Sequence, residues 1–343
     1  MRIDHVAVLG TSPLSLFRAV SEAQQGRHVT IYDKSLTLGG AWSPRQLFGM
    51  GEADGKSHVW APLYHSGAYQ KLVDSLRTDL GITVELVDPA AVYPTAEGDA
   101  SEVGIPAFYP AQGMSEALDH LEVILRDLGV VFRLGEAVTA ARATHEVVFL
   151  EVSECEDQFD ILYLPSYVAL DSVNLDGHSY AIPFELRRSI HLNLLLDRQV
   201  GFSYLEAPEE LTYLDRLCDI SRCFQDHPRF DASFAAVNAR VDYPGKALLE
   251  SSGREVFVEK SVKELLVHGY LSKNTQLLKH DFTEYTTAYR NEAAKQELYG
   301  LKSDRIRVMY TEQLMEGLHD AIRPSQGSWD PPNTRGLTSQ HHK

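Results

Sequence analysis

Cysteine is scarce in this chain: Cys155, Cys218 and Cys223 are three in 343 residues, with neither a C-x-x-C pair nor zinc-ligand spacing. That argues against a disulfide-stapled scaffold and a structural zinc site, and a reducing compartment fits best. Basic residues are also short, 32 Lys and Arg against 48 Asp and Glu, for a formal net charge of −16. Nucleic acid and anionic membrane surfaces are therefore not expected as partners. No apolar run approaches the roughly 18 residues of a membrane helix, and no charged segment leads into an apolar one at the start. The expected location is cytoplasmic. G-x-S-x-G, H-E-x-x-H and Walker patterns are missing too, so the sequence displays no ready-made hydrolase, metalloprotease or P-loop site, and no metal ligands are assigned.

What is present is an ordinary soluble composition, 44% hydrophobic and 23% charged, in a chain long enough for two packed domains. The informative stretch is near the start. Val6 to Leu9 is an apolar run of buried-strand type, Gly10 turns the chain, and Leu14, Phe17, Ala19, Val20 and Ala23 recur at helical spacing. Gly26 ends that helix, Val29 to Tyr32 form a second strand, and Asp33 follows about 20 residues after Gly10, where an acid reaches a ribose hydroxyl. Strand, turn, helix and strand predict a dinucleotide-binding unit. The G-x-G-x-x-G turn is reduced to Gly10-Thr11-Ser12-Pro13-Leu14-Ser15. Ser12 and Ser15 carry the Cβ that glycine avoids, yet their hydroxyls suit a helix cap or a phosphate, and Pro13 suits a first helical position. A Rossmann-like unit that binds no dinucleotide stays open as the alternative.

Alternation of strand and helix lapses after Trp42, with one helix expected over 67–80 and a strand over 82–87. Met114, Leu118, Leu121, Leu125 and Leu128 mark an amphipathic helix that Gly129 ends. A strand over 130–134 and strands over 146–152 and 159–168 follow as a small meander returning to the main sheet. Mixed elements occupy 171–282, and a strand over 305–310 precedes a helix over 311–322. The expected class is α/β: a discontinuous Rossmann-like domain (1–45, 107–170 and 286–323), an inserted mixed α+β substrate domain (46–106 and 171–285), and a polar tail (324–343).

Three segments together resemble the flavoprotein superfamily of amine oxidases, protoporphyrinogen and phytoene oxidoreductases and UDP-galactopyranose mutase. The first is the Gly10 unit with Asp33 and the following Gly39, Gly40 and Trp42. The second is Tyr109-Pro110-Ala111-Gln112-Gly113-Met114, similar to the superfamily's Tyr-Pro-x-Gly-Gly-Met lead into a helix. The third is the closing strand and helix, similar to the mutase branch. The sequence departs from the superfamily in its glycine-poor turn and in lacking a Gly-Asp or Gly-Arg pair near Asp304.

The resemblance implies FAD as cofactor. Gly10, Ser12 and Ser15 would line its pyrophosphate, Asp33 the ribose, Gly39, Gly40 and Trp42 the flavin side, Val138 the adenine through its backbone, and Thr311 the flavin through a helix N-terminus. Asp33 also fits a plain strand end, Gly39 and Gly40 an ordinary loop, and Thr311 a simple helix cap. His58, Trp60, Tyr64 and His65 form an aromatic and imidazole cluster suited to the substrate side of a flavin, with core packing or a solvated loop as the more common reading of such residues. Arg216 and Tyr289 are further candidates, and Arg187, Arg188, Arg240, Tyr285 and Arg290 offer cations and phenols for an anionic substrate. The implied activity is an FAD-dependent oxidoreductase acting on a small or medium-sized metabolite. The alternatives are a non-redox flavin mutase and a non-catalytic binding partner in a biosynthetic complex; a protein partner is expected only in that last case.

Overall fold

The structure is a computed structural model that describes residues 4–40, 43, 47–50, 77, 81–87, 92–94, 100–102, 107–110, 114–153, 155–202, 204–206, 211–224, 229–241 and 251–309. The aromatic and imidazole candidates Trp42, His58, Trp60, Tyr64 and His65, most of the helix expected over 67–80, and the helix expected from Thr311 lie outside the described residues.

The strand β1 (His5–Leu9) leads through Gly10 into helix α1 (Pro13–Gln24) and back along β2 (His28–Asp33). Gly10 at φ +80° makes the turn, a conformation that favours a residue without Cβ. Two antiparallel pairs follow: β3 (Val84–Val87) with β6 (Ala107–Pro110), and β4 (Val92–Pro94) with β5 (Ala100–Glu102). Helix α2 (Met114–Asp127) then feeds β7 (Val131–Leu134).

A meander of β8 (Val138–Ala143), β9 (Val148–Val152) and β10 (Cys155–Phe159) returns the chain to β11 (Ile161–Pro165). The hairpin β12 (Ser172–Leu175) and β13 (His178–Ala181) joins the meander, β12 lying parallel to β8. The expected single strand over 159–168 is thus two elements, because Asp160 breaks it: its carboxylate accepts the N–H groups of Asp4 and His5 at 2.8 and 2.9 Å.

An antiparallel sheet comes next, of β14 (Glu185–Leu196), β15 (Tyr204–Glu206), β16 (Leu214–Asp219), β17 (Ala235–Val241) and β18 (Leu277–Tyr289), with helix α3 (Ser251–Val267) between its last two strands. Helix α4 (Glu292–Tyr299) and strand β19 (Ile306–Met309) close the described chain. No helix among the described residues is long and apolar enough to cross a membrane.

The parallel sheet has the order β19-β11-β1-β2-β7. The chain builds outward from β1 in one direction through β2 and β7, then crosses over and builds in the other through β11 and β19. Its direction reverses between β1 and β11, the place where open α/β sheets leave a crevice at the C-terminal ends of their strands. Alternation along the strands fixes the layers. Val6, Val8, Ile161 and Tyr163 face α1 and α2 in one core, whereas Ala7, Leu9, Leu162 and Leu164 face the meander in another. Both faces of the parallel sheet are therefore covered, one by helices and one by strands.

The antiparallel sheet divides in the same way. Ile190, Leu192, Leu194 and Leu196 pack toward Phe257, Val258 and Leu265 of α3. On its other face Leu195 and Ala236 pack with Leu47, Phe48 and Met50. That segment is pinned by two bonds to β18: the Phe48 N–H donates to the Asp281 carboxylate, and Lys279 Nζ donates to the Phe48 carbonyl.

Candidate functional site

The reversal between β1 and β11 gathers most of the residues singled out near the start of the sequence. Gly10 N–H donates to the Tyr32 carbonyl at 2.7 Å, which closes the turn onto β2. Thr11 then donates twice to Asp33 Oδ2, from its backbone N–H at 2.8 Å and from Oγ1 at 2.7 Å, while Ser35 N–H donates to Oδ1 at 2.8 Å. An ionised carboxylate offers about four acceptor positions, so Asp33 braces the turn with three and keeps one.

Gly39 and Gly40 come back against the same turn. Gly39 N–H donates to the Thr11 carbonyl at 2.9 Å, and a Cβ on Gly40 would stand 3.6 Å from Ser12 N. Both have positive φ. A Cβ on Gly39 would stand only 2.6 Å from Leu118 Cδ1, so this glycine lets the segment pass the first turns of α2. Val138 begins β8, half-buried against the meander core, a few residues after Glu136, whose N–H donates to the Asp33 carbonyl at 3.1 Å.

Ser12 is the N-cap of α1, yet its side chain makes no capping bond. Its hydroxyl meets Tyr167 instead. Tyr167 lies two residues beyond the end of β11, and its hydroxyl bonds Ser12 Oγ and, at 3.0 Å, Ser15 Oγ. Ser15 Oγ donates to the Leu9 carbonyl at 2.8 Å, so toward Tyr167 it accepts, and Tyr167 in turn accepts from Ser12. Every hydroxyl hydrogen has a place. The Tyr167 ring fills the space that Gly10 leaves free: a Cβ there would lie 3.3 Å from both Cε2 and the hydroxyl oxygen. Desolvation pushes the Tyr167 phenol up to about 12, with the two serine bonds pulling back and the Asp33 charge adding to the rise.

Arg290, just past the end of β18, holds the loop that carries Tyr167. It is 3% exposed and donates through Nε to Ile182 O at 3.1 Å, through Nη2 to Val168 O at 2.8 Å and Leu170 O at 2.7 Å, and through Nη1 to Ser166 O. Burial lowers its pKa, partly offset by Asp171 and Tyr299. The expectation that Arg290 clamps an anionic substrate is therefore corrected: its donors are spent on backbone carbonyls.

The other arginine and tyrosine candidates fall on the antiparallel sheet. Arg216 pairs in register with Arg240, Arg187 with Thr287, Arg188 with Thr286, Tyr285 with Ser189 and Tyr289 with Glu185. On the face away from α3, Asn193 Nδ2 donates to Thr283 Oγ1 and Asp281 O at 3.3 and 3.4 Å, and Asn238 Nδ2 donates to Asn193 Oδ1 at 2.7 Å. Asn238 Oδ1 thus accepts from His191 Nδ1 at 3.0 Å, which places a proton on that nitrogen. Among the described residues no group of three or more His, Cys, Asp or Glu is placed to hold a metal ion.

Sequence reasoning missed Tyr167, Arg290's role and His191. Tyr167 had a signal: once β11 is the fourth parallel strand, the residues just after it belong to the crevice. The other two had none, since their partners are carbonyls and amides far away in sequence.

By sequence, neither a family model nor a curated protein matches. By structure, the chain is similar to a putrescine oxidase bound to putrescine (TM-score 0.60, 11% identity, covering 94% of this chain and 97% of that one). It is also similar to cyclohexylamine oxidase from Brevibacterium oxydans (TM-score 0.59, 11% identity, again 94% and 97%). A third likeness is to a proposed protoporphyrinogen oxidase from an Exiguobacterium species (TM-score 0.53, 12% identity, 94% and 98%). The fold of this chain is therefore the one that these solved structures share, at 11–12% identity.

Proposed function

We propose that this chain is a flavoprotein oxidoreductase that binds FAD across the C-terminal edge of its parallel sheet and acts on a small or medium-sized metabolite. The observation that carries this is the placement of the Gly10 turn and the start of α1 at the reversal of strand order, with Gly39 and Gly40 folded back against that turn. The scaffold fits a dinucleotide: a positive-φ glycine, a helix N-terminus facing the crevice, and an acid at the end of the second strand. Gly10 and Ser12 would hold the diphosphate with Ser15 lining the turn behind them, Asp33 would use its remaining acceptor position for the ribose, and Gly39 and Gly40 would border the flavin side.

The flavin would supply hydride acceptance or delivery. The protein's part is to bind, orient and exclude water. The antiparallel sheet supplies the substrate side in this assignment, with the His191 ring oriented there by Asn238 and Asn193. A non-catalytic role as a binding partner is the second reading, favoured by Tyr167 standing in the turn. Purification decides between them: absorbance in the flavin bands, or its appearance on adding FAD, supports the enzyme, and a colourless folded protein that ignores FAD supports the partner. Asp33→Ala should then weaken FAD binding; unchanged affinity would remove Asp33 from the site.

A further inference from the structure

We infer that Tyr167 is an internal occupant of the diphosphate position, so that FAD binds only when the loop over 166–170 gives way. The inference rests on the flavoprotein reading above and concerns the same site.

Three observations converge on it. The hydroxyl of Tyr167 bonds the two serines that stand at glycine positions of the turn, so the substitutions Ser12 and Ser15 and the tyrosine form one hydrogen-bonded unit. The ring lies against Gly10, in the space that a Cβ would take, at the start of the crevice between β1 and β11. The loop is fastened from behind, because Arg290 binds the carbonyls of Ser166, Val168 and Leu170 on either side of the tyrosine.

A phosphate oxygen at this turn would take the Ser12 hydroxyl hydrogen that Tyr167 now accepts, whereas Ser15 gives its own to the Leu9 carbonyl and only accepts from the phenol. The phenol and a phosphate cannot share that hydrogen. Ser12 therefore has two alternative partners, an internal phenol and an external diphosphate, and the balance between those partners sets cofactor affinity. Displacing the phenol breaks two hydrogen bonds, each worth about one kcal/mol net, and so weakens cofactor by roughly 30-fold relative to an open turn.

The test uses the full-length protein and FAD as the probe, with wild type, Tyr167→Ala and Tyr167→Phe checked for equal folding by circular dichroism and titrated by calorimetry. Tyr167→Ala should bind FAD roughly 30-fold more tightly than wild type. Tyr167→Phe, which keeps the ring and loses the bonds, should fall between the two. A tyrosine-specific nitration reagent gives a second readout: Tyr167 should be protected in the free wild-type protein and become reactive when FAD is added. If wild type and Tyr167→Ala bind FAD with equal affinity, the internal occupant is refuted while the flavoprotein reading stands. If neither folded protein binds FAD, both are refuted together.

Discussion

Replacing Arg290 by methionine should destabilise the protein by about 4 kcal/mol. Its guanidinium is buried and serves four backbone carbonyls, those of Ile182, Ser166, Val168 and Leu170. Hydrogen bonds from a charged donor contribute about 1.5–3 kcal/mol each, and a carbonyl left buried without a donor costs about 1–3 kcal/mol. A simple sum overshoots, since the loop is near the surface and relaxes toward water. Taking roughly one kcal/mol for each of the four bonds gives the figure of about 4 kcal/mol. Arg290→Lys keeps the charge but offers a compact ammonium where a planar fork reaches four oxygens, so it should recover only part of the loss. Urea unfolding followed by fluorescence measures the global term, and hydrogen exchange of the amides over 166–170 measures the local one. A methionine variant within about 1 kcal/mol of wild type, or a lysine variant equal to it, would refute the assignment of the loop to this guanidinium.

Glu22 of α1 is fully buried, accepts from the Tyr163 hydroxyl at 2.6 Å, and pairs with Arg27 and, at 3.6 Å, with Arg18. Glu22→Gln should lose about 3 kcal/mol in chemical denaturation, because two arginines lose their counter-charge; Glu22→Gln with wild-type stability would show that the ion pairs contribute nothing. Gly39→Ala should be destabilising by about 1–3 kcal/mol, from positive φ and the contact with Leu118; a neutral alanine in thermal unfolding counts against this packing. Burial alone would raise the Asp160 carboxyl, but the N–H groups of His5 and Asp4 and the nearby charges of His5 and Arg305 hold it below its ordinary value of 3.8. Its contribution is present above that ordinary value and is lost as pH falls through the lower folded-state value. The stability gap between wild type and Asp160→Asn should therefore be constant near neutrality and close below about pH 4; a gap that persists unchanged at pH 2 would contradict it.

Local patterns were legible in the sequence because each depends on neighbours along the chain. The apolar run over 6–9 is a strand buried on both faces, the spacing from Leu14 to Ala23 is a helix, and Gly10, Gly26 and Gly129 turn the chain with positive φ. The expected helix through Met114 and Leu125 ends as expected before Gly129, and the expected strand over 305–310 is β19. Less legible was the break at Asp160, where a carboxylate just before the neighbouring strand β11 caps the amides of Asp4 and His5.

The opening turn shows the division most clearly. By itself the sequence determined that strand, turn and helix would form there and that Ser12 and Ser15 replace glycines; composition and periodicity suffice for that. Only the tertiary structure decided what those serines do. Their partner, Tyr167, is more than 150 residues away in sequence, brought back by the crossover that sets β11 beside β1 and fixed by an arginine from beyond β18. Backbone preference is written in short range, whereas the choice of partner for a hydroxyl depends on which strand ends the fold brings together.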